Sequence, residues 1–425
     1  MTEALFQFIW QHRLFDPHKP LLSAQGDLIK VEFPGLLNTR SGPDFLNAKI
    51  RINQTLWVGH VELHVLSSDW HRHRHAMDPA YKHLILHVVY RHDAPEKQPD
   101  CALLELKHHI QLELLKRYEG LMHHRGHIPC GGLIHSVTEL QWQQQYDRML
   151  AERLEEKAAH LRAYAEQYQH DWQVVFYISL ARSYGMNGNQ DVFEQLALNT
   201  PLKLIKKHRT YLIQLEAMAF GQAGFLNVRF EEDYPALLYQ EYKHLQFLHG
   251  LEPMEAHRWK FMRMRPAGFP TLRLAEWAHW WHAHPDGFTP LLTMKDLKEV
   301  MTYLQSSVSD YWTQHYRFGE RAVPEKKSTG QQFIQSIIIN TVVPFLFAYG
   351  QAHGREEQVE KALHWLMQLP PEDNQIIRLW KAHQVPQRSA ADTQALLHLR
   401  QHYCSKKRCL QCQIGYRILR ANGSK

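Results

Sequence analysis

The spacing of apolar residues changes near residue 130, which divides the chain into two regions of different character. Before this point, short apolar stretches separated by turn residues predict a helix over 3–12 and strands over 28–33, 45–52, 56–66, 84–90 and 102–106. The turn at 53–55 joins two of these strands and predicts a hairpin. The continuous apolar run at 84–90 is typical of a buried central strand. We therefore predict an α/β domain over residues 1–130.

After residue 130, apolar residues recur at helical spacing and predict a large all-α region over 131–390. Its helices are expected over 138–169, 172–184, 191–198, 203–220, 236–249, 272–284, 294–316 and 330–350. A last helix from Ala390 leads into a cysteine-rich tail, so that 391–425 forms a third segment. The apolar run 337–349 is broken by Asn340 and Pro344 and is too short to span a bilayer. We therefore expect no membrane partner.

Polar residues interrupt the strand at 56–66 and suggest chemistry. Glu62 and His64 are two residues apart and project from one face of that strand, and Asp44 precedes the strand before it. Two carboxylates and an imidazole can bind a divalent cation and orient a water. Regular pleating would place Asp44 on the face opposite Glu62, unless Asp44 precedes the pleat or a β-bulge intervenes. The other interpretation of Asp44 is a turn residue. The opposite face of the strand predicts core, with Trp57, Val61, Leu63 and Val65.

Alternating histidines follow this strand directly, at His71, His73 and His75, between Asp69 and Asp78. Neutral imidazoles suit Zn, Mn or Fe, and we expect metal binding by Asp69 and His75. We expect His73 to act as a catalytic base. The alternatives are a solvated loop, contacts to phosphate, and a helix start with Asp78 as its N-cap.

Three cysteines near the C-terminus form the second strong pattern, Cys404-x4-Cys409-x2-Cys412. This spacing indicates zinc or an iron–sulfur cluster. A closed site needs a fourth ligand, for which Cys130 is the first choice and His402 the second. Unligated buried thiols are the alternative.

Four stretches of the chain resemble an uncharacterised bacterial family, domain-of-unknown-function family 2851, at 42–50, 57–73, 84–90 and 404–415. That family brings no established activity. Within it, Pro43-Asp44 followed by Glu62-Leu63-His64 on the next strand is similar to PD-(D/E)xK nucleases. This second resemblance implies a nuclease-like domain with a mixed sheet and with Mg or Mn bound at Asp44 and Glu62. His64 stands where those nucleases have lysine.

The cysteine pattern is similar to that of iron–sulfur nucleases, in which one distant cysteine and three near the C-terminus lock the nuclease domain. The resemblance implies that Cys130 joins the C-terminal triplet. In those nucleases the distant cysteine does not follow the catalytic motif, whereas Cys130 does.

The formal charge of +6 permits a polyanionic partner such as nucleic acid. Residues 1–10 do not have the pattern of a signal peptide, and we expect a cytoplasmic protein with reduced cysteines. Nucleotide-binding loops and serine-hydrolase motifs do not occur in the sequence. Three hypotheses remain: a divalent-metal-dependent nuclease, a non-catalytic nucleic-acid-binding or scaffold protein with a decayed nuclease core, and a metallohydrolase centred on the histidines.

Overall fold

The chain divides into two compact units in a computed structural model, which describes residues 1–73, 75–94, 99–186 and 188–421. Unit 1 comprises Met1–Gln145, Arg378–Pro386 and Leu399–Lys425, and unit 2 comprises Tyr146–Ile377 and Gln387–His398. The cysteine-rich C-terminal segment therefore belongs to the same unit as the N-terminal strands. An α/β region precedes a large helical region, so the predicted fold class is confirmed at that level.

Unit 1 is built on a mixed sheet. Its strands are β1 Leu21–Leu22, β2 Leu28–Phe33, β3 Leu36–Leu37, β4 Phe45–Ile52, β5 Thr55–Leu66, β6 Leu84–Arg91 and β7 Ala102–Glu105. They lie in the order β1-β2-β4-β5-β6-β7, and β3 pairs with β4. The pairs β5–β6 and β6–β7 are parallel, and the other pairs are antiparallel. A parallel pair needs a crossover connection, and the crossover from β5 to β6 carries the alternating histidines.

Helices account for most of the remaining elements. In chain order they are α1 Glu3–Gln11, α2 Asp69–Arg72, α3 Leu112–His123, α4 Glu139–Gln167, α5 Trp172–Tyr184, α6 Gln190–Asn199, α7 Leu202–His208, α8 Leu212–Gln222, α9 Asp233–His249, α10 Pro270–Ala283, α11 Leu297–Tyr303, α12 Asp310–Thr313, α13 Gln331–Ile337, α14 Val343–His353, α15 Glu356–Gln368, α16 Gln375–Ala382, α17 Ala390–His398 and α18 Gln413–Arg420. Two π-helical segments, Ile338–Val342 and Leu399–Cys404, continue α13 and α17. A short hairpin of β8 His315–Arg317 and β9 Glu320–Arg321 lies in unit 2.

Most predicted elements are confirmed, and two predicted helices are wrong. The strands at 28–33 and 45–52 and the helix at 172–184 have the predicted bounds. The expected helix at 203–220 is two helices, α7 and α8. Between them, the Arg209 carbonyl lies 2.6 Å from His282 Nδ1. The expected helix at 294–316 ends at Tyr303, and beyond it the Ser306 hydroxyl donates to the Glu276 carbonyl at 2.7 Å.

Trp57 is a third correction: we expected it in the core, but it is 50% exposed. Strand β6 pairs with β5 only from His60 onward. The first residues of β5 therefore extend beyond that neighbour and pair with β4 alone. Only the later part of β5, from Val61 to His64, is buried throughout.

One helix among the described residues, Gln331–His353, is long and apolar enough to cross a membrane. In the structure, 78% of its most apolar window is buried inside the protein. Burial of this kind is expected of a central core helix, and the segment packs within the large apolar core of unit 2.

Candidate metal centre

A β-bulge in β4 places Asp44 and Glu62 on the same face of the sheet. Phe45 pairs with Val61 and Ala48 pairs with Gly59, so β4 contains one residue more than β5 between these pairs. Asn47 takes up the extra residue with a φ of 56°, in the left-handed region that Asn tolerates better than most residues. The bulge reverses the side-chain parity of β4, and this resolves the conflict expected from regular pleating.

Asp44 and Glu62 position each other through backbone amides. The Asp44 N–H donates to Glu62 Oε2 at 3.0 Å, and the Leu63 N–H donates to Asp44 Oδ2 at 3.0 Å. Gln7 Nε2, from α1, donates to Asp44 Oδ1 at 2.8 Å. Each carboxylate is therefore anchored by the strand that carries the other.

Burial raises the pKa of both carboxyl groups. For Glu62, desolvation is the main cause and repulsion from the Asp44 carboxylate adds to it. For Asp44, desolvation is again the main cause, opposed by the hydrogen bond from the Leu63 amide. Glu62 has the higher pKa of the two and retains a proton near neutral pH, and a bound cation would remove the penalty on its charged form.

Three histidines converge beside Glu62. The ligand atoms of His64, His73 and His75 all lie within 4.8 Å of one another. His64 Nε2 is 3.3 Å from His73 Nδ1. Glu62 Oε1 lies 3.3 Å from His75 Nε2 and 3.6 Å from His64 Nε2. Three nitrogens thus lie close together, and the Glu62 carboxylate lies beside two of them. Donors of these types suit a first-row transition metal.

The crossover after β5 brings these histidines together. Helix α2 is a single turn that follows β5 closely, and the chain then continues into a 3-10 turn at His75–Met77. This reversal returns His73 and His75 to the face of β5 that carries His64. A second 3-10 turn, Pro79–Tyr81, has Asp78 as its N-cap, which accepts from the Ala80 N–H at 2.9 Å.

His87 on β6 orients His64 from behind. His87 is fully buried, and its Nε2 lies 2.9 Å from His64 Nδ1. Burial lowers the pKa of His64 to about 2, and the neighbouring His87 contributes, so His64 is neutral. A partner at Nδ1 directs Nε2 toward the other two histidines, as is typical of histidines that bind metals.

Aromatic rings enclose this cluster. The Trp70 ring lies 5.4 Å from that of His75 and 5.5 Å from that of His87, and the Tyr81 ring lies 4.3 Å from that of His75. Tyr81 also hydrogen-bonds to Glu62. Sequence reasoning did not identify Trp70, Tyr81 or His87 as parts of the site. The only signal for His87 was a single polar residue within an apolar strand.

Asp69 and His71 lie outside the histidine cluster. The Asp69 carboxylate accepts from the Leu66 N–H at 3.2 Å and pairs with Arg72 at 2.7 Å. Those two contacts fix the start of α2. We expected Asp69 to bind metal, but the structure does not place it among the clustered histidines. His71 is exposed on α2.

The four cysteines of the predicted second site belong to unit 1 and interact with one another electrostatically. The Cys130 thiol interacts electrostatically with Cys412 and Cys409, and the Cys404 thiol interacts with all three others. Burial raises the pKa of each of Cys130, Cys404 and Cys409, with the neighbouring thiols contributing. The structure therefore groups Cys130 with the C-terminal triplet, whereas Cys101 precedes β7.

Comparison with known proteins adds a family but no activity. No curated protein and no solved structure matches the chain. The model of one family, described as protein of unknown function (DUF2851), matches residues 3–375. The match covers the whole sheet, the histidine cluster and most of the helical region, and the chain therefore belongs to the family DUF2851.

Proposed function

We propose that unit 1 is a divalent-metal-dependent phosphodiesterase that acts on nucleic acid, with its metal bound by His64, His73, His75 and Glu62. The observation that carries the proposal is the convergence of three imidazole nitrogens, within 4.8 Å of one another, beside a buried carboxylate. Neutral imidazoles and a carboxylate oxygen are donors that suit first-row transition metals. Without a cation, Glu62 is an expensive group to bury, at 4% exposure.

Each residue has a role set by its contacts. A metal at this point would polarise a phosphate oxygen and lower the pKa of a bound water. Glu62 directs Oε1 to the histidines and Oε2 to the Asp44 amide, so both of its oxygens are oriented. The Asp44 carboxylate, positioned by Gln7 and Leu63, is the group that would accept a proton from the attacking water.

The donor set favours manganese over magnesium. Magnesium in proteins is bound mainly through carboxylates, phosphates and water. Imidazoles suit zinc and iron, and manganese accepts them more readily than magnesium does. From the sequence we expected Mg or Mn at Asp44 and Glu62. We now propose Mn²⁺, with Zn²⁺ as the alternative ion, at Glu62 and the three histidines.

The arrangement of the site supports a phosphodiester substrate. Asp44 comes at the start of one strand and Glu62-Leu63-His64 lies on the next, as in the nucleases that the sequence resembles. A neutral His64 cannot supply the positive charge of a lysine, and that function would pass to the metal.

Charge near the site also supports a polyanionic substrate. Arg40, Arg72 and Lys82 are exposed on the segments that carry Asp44 and the histidines. Cations at the rim of a site attract a phosphate backbone. We also propose a cytoplasmic location, where cysteines are kept reduced.

The test is cleavage of single- and double-stranded DNA and RNA by the purified full chain, stripped of metal and then supplied with Mn²⁺, Mg²⁺ or Zn²⁺. We expect Mn²⁺-dependent cleavage that falls at least ~100-fold in Glu62→Gln and His73→Ala. His71→Ala is the matched control, because His71 is an exposed histidine of the same crossover, and it should cleave at the normal rate.

Two results would decide against the proposal. Binding of nucleic acid with Mn²⁺ bound but no cleavage would favour the scaffold hypothesis. Equal Mn²⁺ affinity in the wild type and His73→Ala, measured by equilibrium dialysis, would show that the histidines do not bind the metal.

A further inference from the structure

We infer that Cys130, Cys404, Cys409 and Cys412 form a second metal centre, independent of the proposed hydrolytic site, that fastens the C-terminal segment to the sheet-containing unit. The centre would be either a zinc ion or an iron–sulfur cluster, since four cysteine thiolates can bind both. The inference rests on the grouping of the thiols, on a buried amide beside them and on the contacts of α18.

The backbone of the C-terminal segment presents three cysteines from one compact turn. The π-helical segment Leu399–Cys404 ends at the first of them, and the Lys407 N–H donates to the Cys404 carbonyl at 3.2 Å. The Cys412 N–H donates to the Cys409 carbonyl at 3.3 Å, which closes the Cys-x2-Cys turn. The next turn of chain is equally close, because a Cβ at Gly415 would come within 2.1 Å of the Cys409 carbonyl oxygen.

Cys130 reaches this turn from a distant part of the sequence. It immediately precedes the 3-10 segment Gly131–Ser136, which contacts α18. Cys130 is 9% exposed, and Cys409 and Cys412 are each 8% exposed. Cys404 is half-buried. Neighbouring neutral thiols gain little from one another, whereas four thiolates around a metal form a closed site.

A buried amide next to the cysteines lacks part of its hydrogen bonding. Gln145 is fully buried, and its Oε1 accepts from the Gln413 N–H at 3.1 Å and lies 3.8 Å from Cys412 Sγ. Its Nε2 is buried and makes no hydrogen bond to the described residues. A donor left unpaired in the interior is costly, and a thiolate or sulfide sulfur would be a suitable acceptor.

Positive charge near the thiols is consistent with thiolate ligands. Arg400 acts on Cys404 and Lys407 acts on Cys409, each favouring the charged form of the sulfur. Four thiolates on a divalent ion carry a net negative charge, which these two side chains would offset.

The centre would fix α18 against α1. Tyr416, in the first turn of α18, places its ring 4.5 Å from that of His12 and 5.9 Å from that of Phe8. From α3, Arg117 donates to the Ile418 carbonyl at 3.0 Å. A metal at the start of α18 would hold these contacts in place. Metal binding is a common way to keep such a short segment folded.

The experiment measures metal and sulfide in the full chain purified without oxygen. To empty the first centre, the chain carries His73→Ala and His75→Ala, so that remaining metal belongs to the cysteines. We expect either about one zinc per chain, or iron with an equal amount of acid-labile sulfide and absorbance in the visible range. The first result identifies a zinc ion and the second an iron–sulfur cluster, and each supports the inference.

Cys412→Ser and Cys130→Ser in this background should each lose most of the metal, whereas Cys101→Ser should retain it. Loss of metal should also speed trypsin cleavage at the exposed Lys406, Lys407 and Arg408 by roughly tenfold or more, because the turn that contains them loses its anchor. Treating the unsubstituted chain with a chelator gives the same readout without a substitution.

Three results would overturn the inference: a folded chain that contains neither zinc nor iron, full metal content in Cys130→Ser, or trypsin cleavage that chelation leaves unchanged. None of these results depends on cleavage of nucleic acid by this protein. A failure of this inference is therefore distinguishable from a failure of the proposed phosphodiesterase.

Discussion

His64 and His87 contact each other from adjacent parallel strands, with His64 Nδ1 2.9 Å from His87 Nε2. His87 makes this contact at full burial, and His64 presents its other nitrogen to His73. The pair therefore connects the interior of the sheet to the histidine cluster.

We predict that His87→Ala weakens Mn²⁺ binding by roughly 10–100-fold although the proposed ligands are unchanged, because His64 loses the partner that orients its ring. Competition with a metal-binding dye measures the affinity. His83→Ala is the control, since His83 is an exposed histidine one residue before β6, and it should bind Mn²⁺ normally. Unchanged affinity in His87→Ala would show that His87 has no part in orienting His64.

The bulge at Asn47 should be sensitive to the type of residue. Asn47→Val puts a β-branched residue at a φ of 56° and should cost about 1–2 kcal/mol in the free energy of unfolding. Mn²⁺ binding should weaken with it, because the bulge places the Asp44 N–H where it donates to the proposed ligand Glu62. Asn47→Gly suits the same φ and should retain both properties. Urea unfolding and metal titration of the two variants provide the comparison, and equal results for Val and Gly would contradict it.

Glu216 should make stability depend on pH. Burial raises its pKa from 4.5 to about 7, although Ser309 and Tyr234 hydrogen-bond to it. Between these values the unfolded chain loses the proton and the folded chain retains it, so stability falls as pH rises through this range and the loss is complete above about 7. The full effect is at most about 3 kcal/mol.

Glu216→Gln carries no titrating proton and should lack this decline. The free energy of unfolding of Glu216→Gln relative to the wild type should therefore increase from pH 5 to pH 8. Urea unfolding at intervals of about one pH unit measures it. Glu252→Gln, at an exposed position of the same unit, should follow the wild type. A constant difference between Glu216→Gln and the wild type would exclude this origin of the pH dependence.

Two glycines in helices should respond in opposite directions to alanine. At Gly221 in α8, a Cβ would meet the Tyr242 ring at 2.1 Å, so Gly221→Ala should lose about 1–3 kcal/mol of stability. At Gly120 in α3, nothing lies within 4 Å of the added carbon, so Gly120→Ala should gain about 0.5–1 kcal/mol. Thermal unfolding of each variant measures the change, and a loss at Gly120 would refute the steric argument.

The sequence predicted the elements of the sheet better than their register. Apolar spacing predicted the observed bounds of β4, because the apolar residues of this strand are visible in its own sequence. The bulge was not predictable, since Leu46, Ala48 and Ile50 read as regular alternation and only the pairing with β5 reveals the extra residue. Asp44 was for this reason the least certain member of the site.

Long-range contacts account for the other differences. Arg209 contacts His282 just after α7, and Ser306 contacts the Glu276 carbonyl just after α11. Neither distant partner is visible in local spacing. His87 was missed because its role depends on β6 lying beside β5 in parallel. The choice of Cys130 as fourth ligand, with His402 as the second choice, stays a prediction, and the electrostatic interaction of Cys130 with Cys409 and Cys412 supports it.

The crossover after β5 has a consequence for the energetics of metal binding. Glu62, His64, His73 and His75 all fall within residues 62–75, so the proposed ligands are close along the chain even when it is unfolded. An unfolded chain with clustered histidines retains some affinity for metal, and any such binding reduces the stabilisation that the metal gives to the folded state. Saturating metal should therefore raise the melting temperature less than its affinity for the folded protein implies.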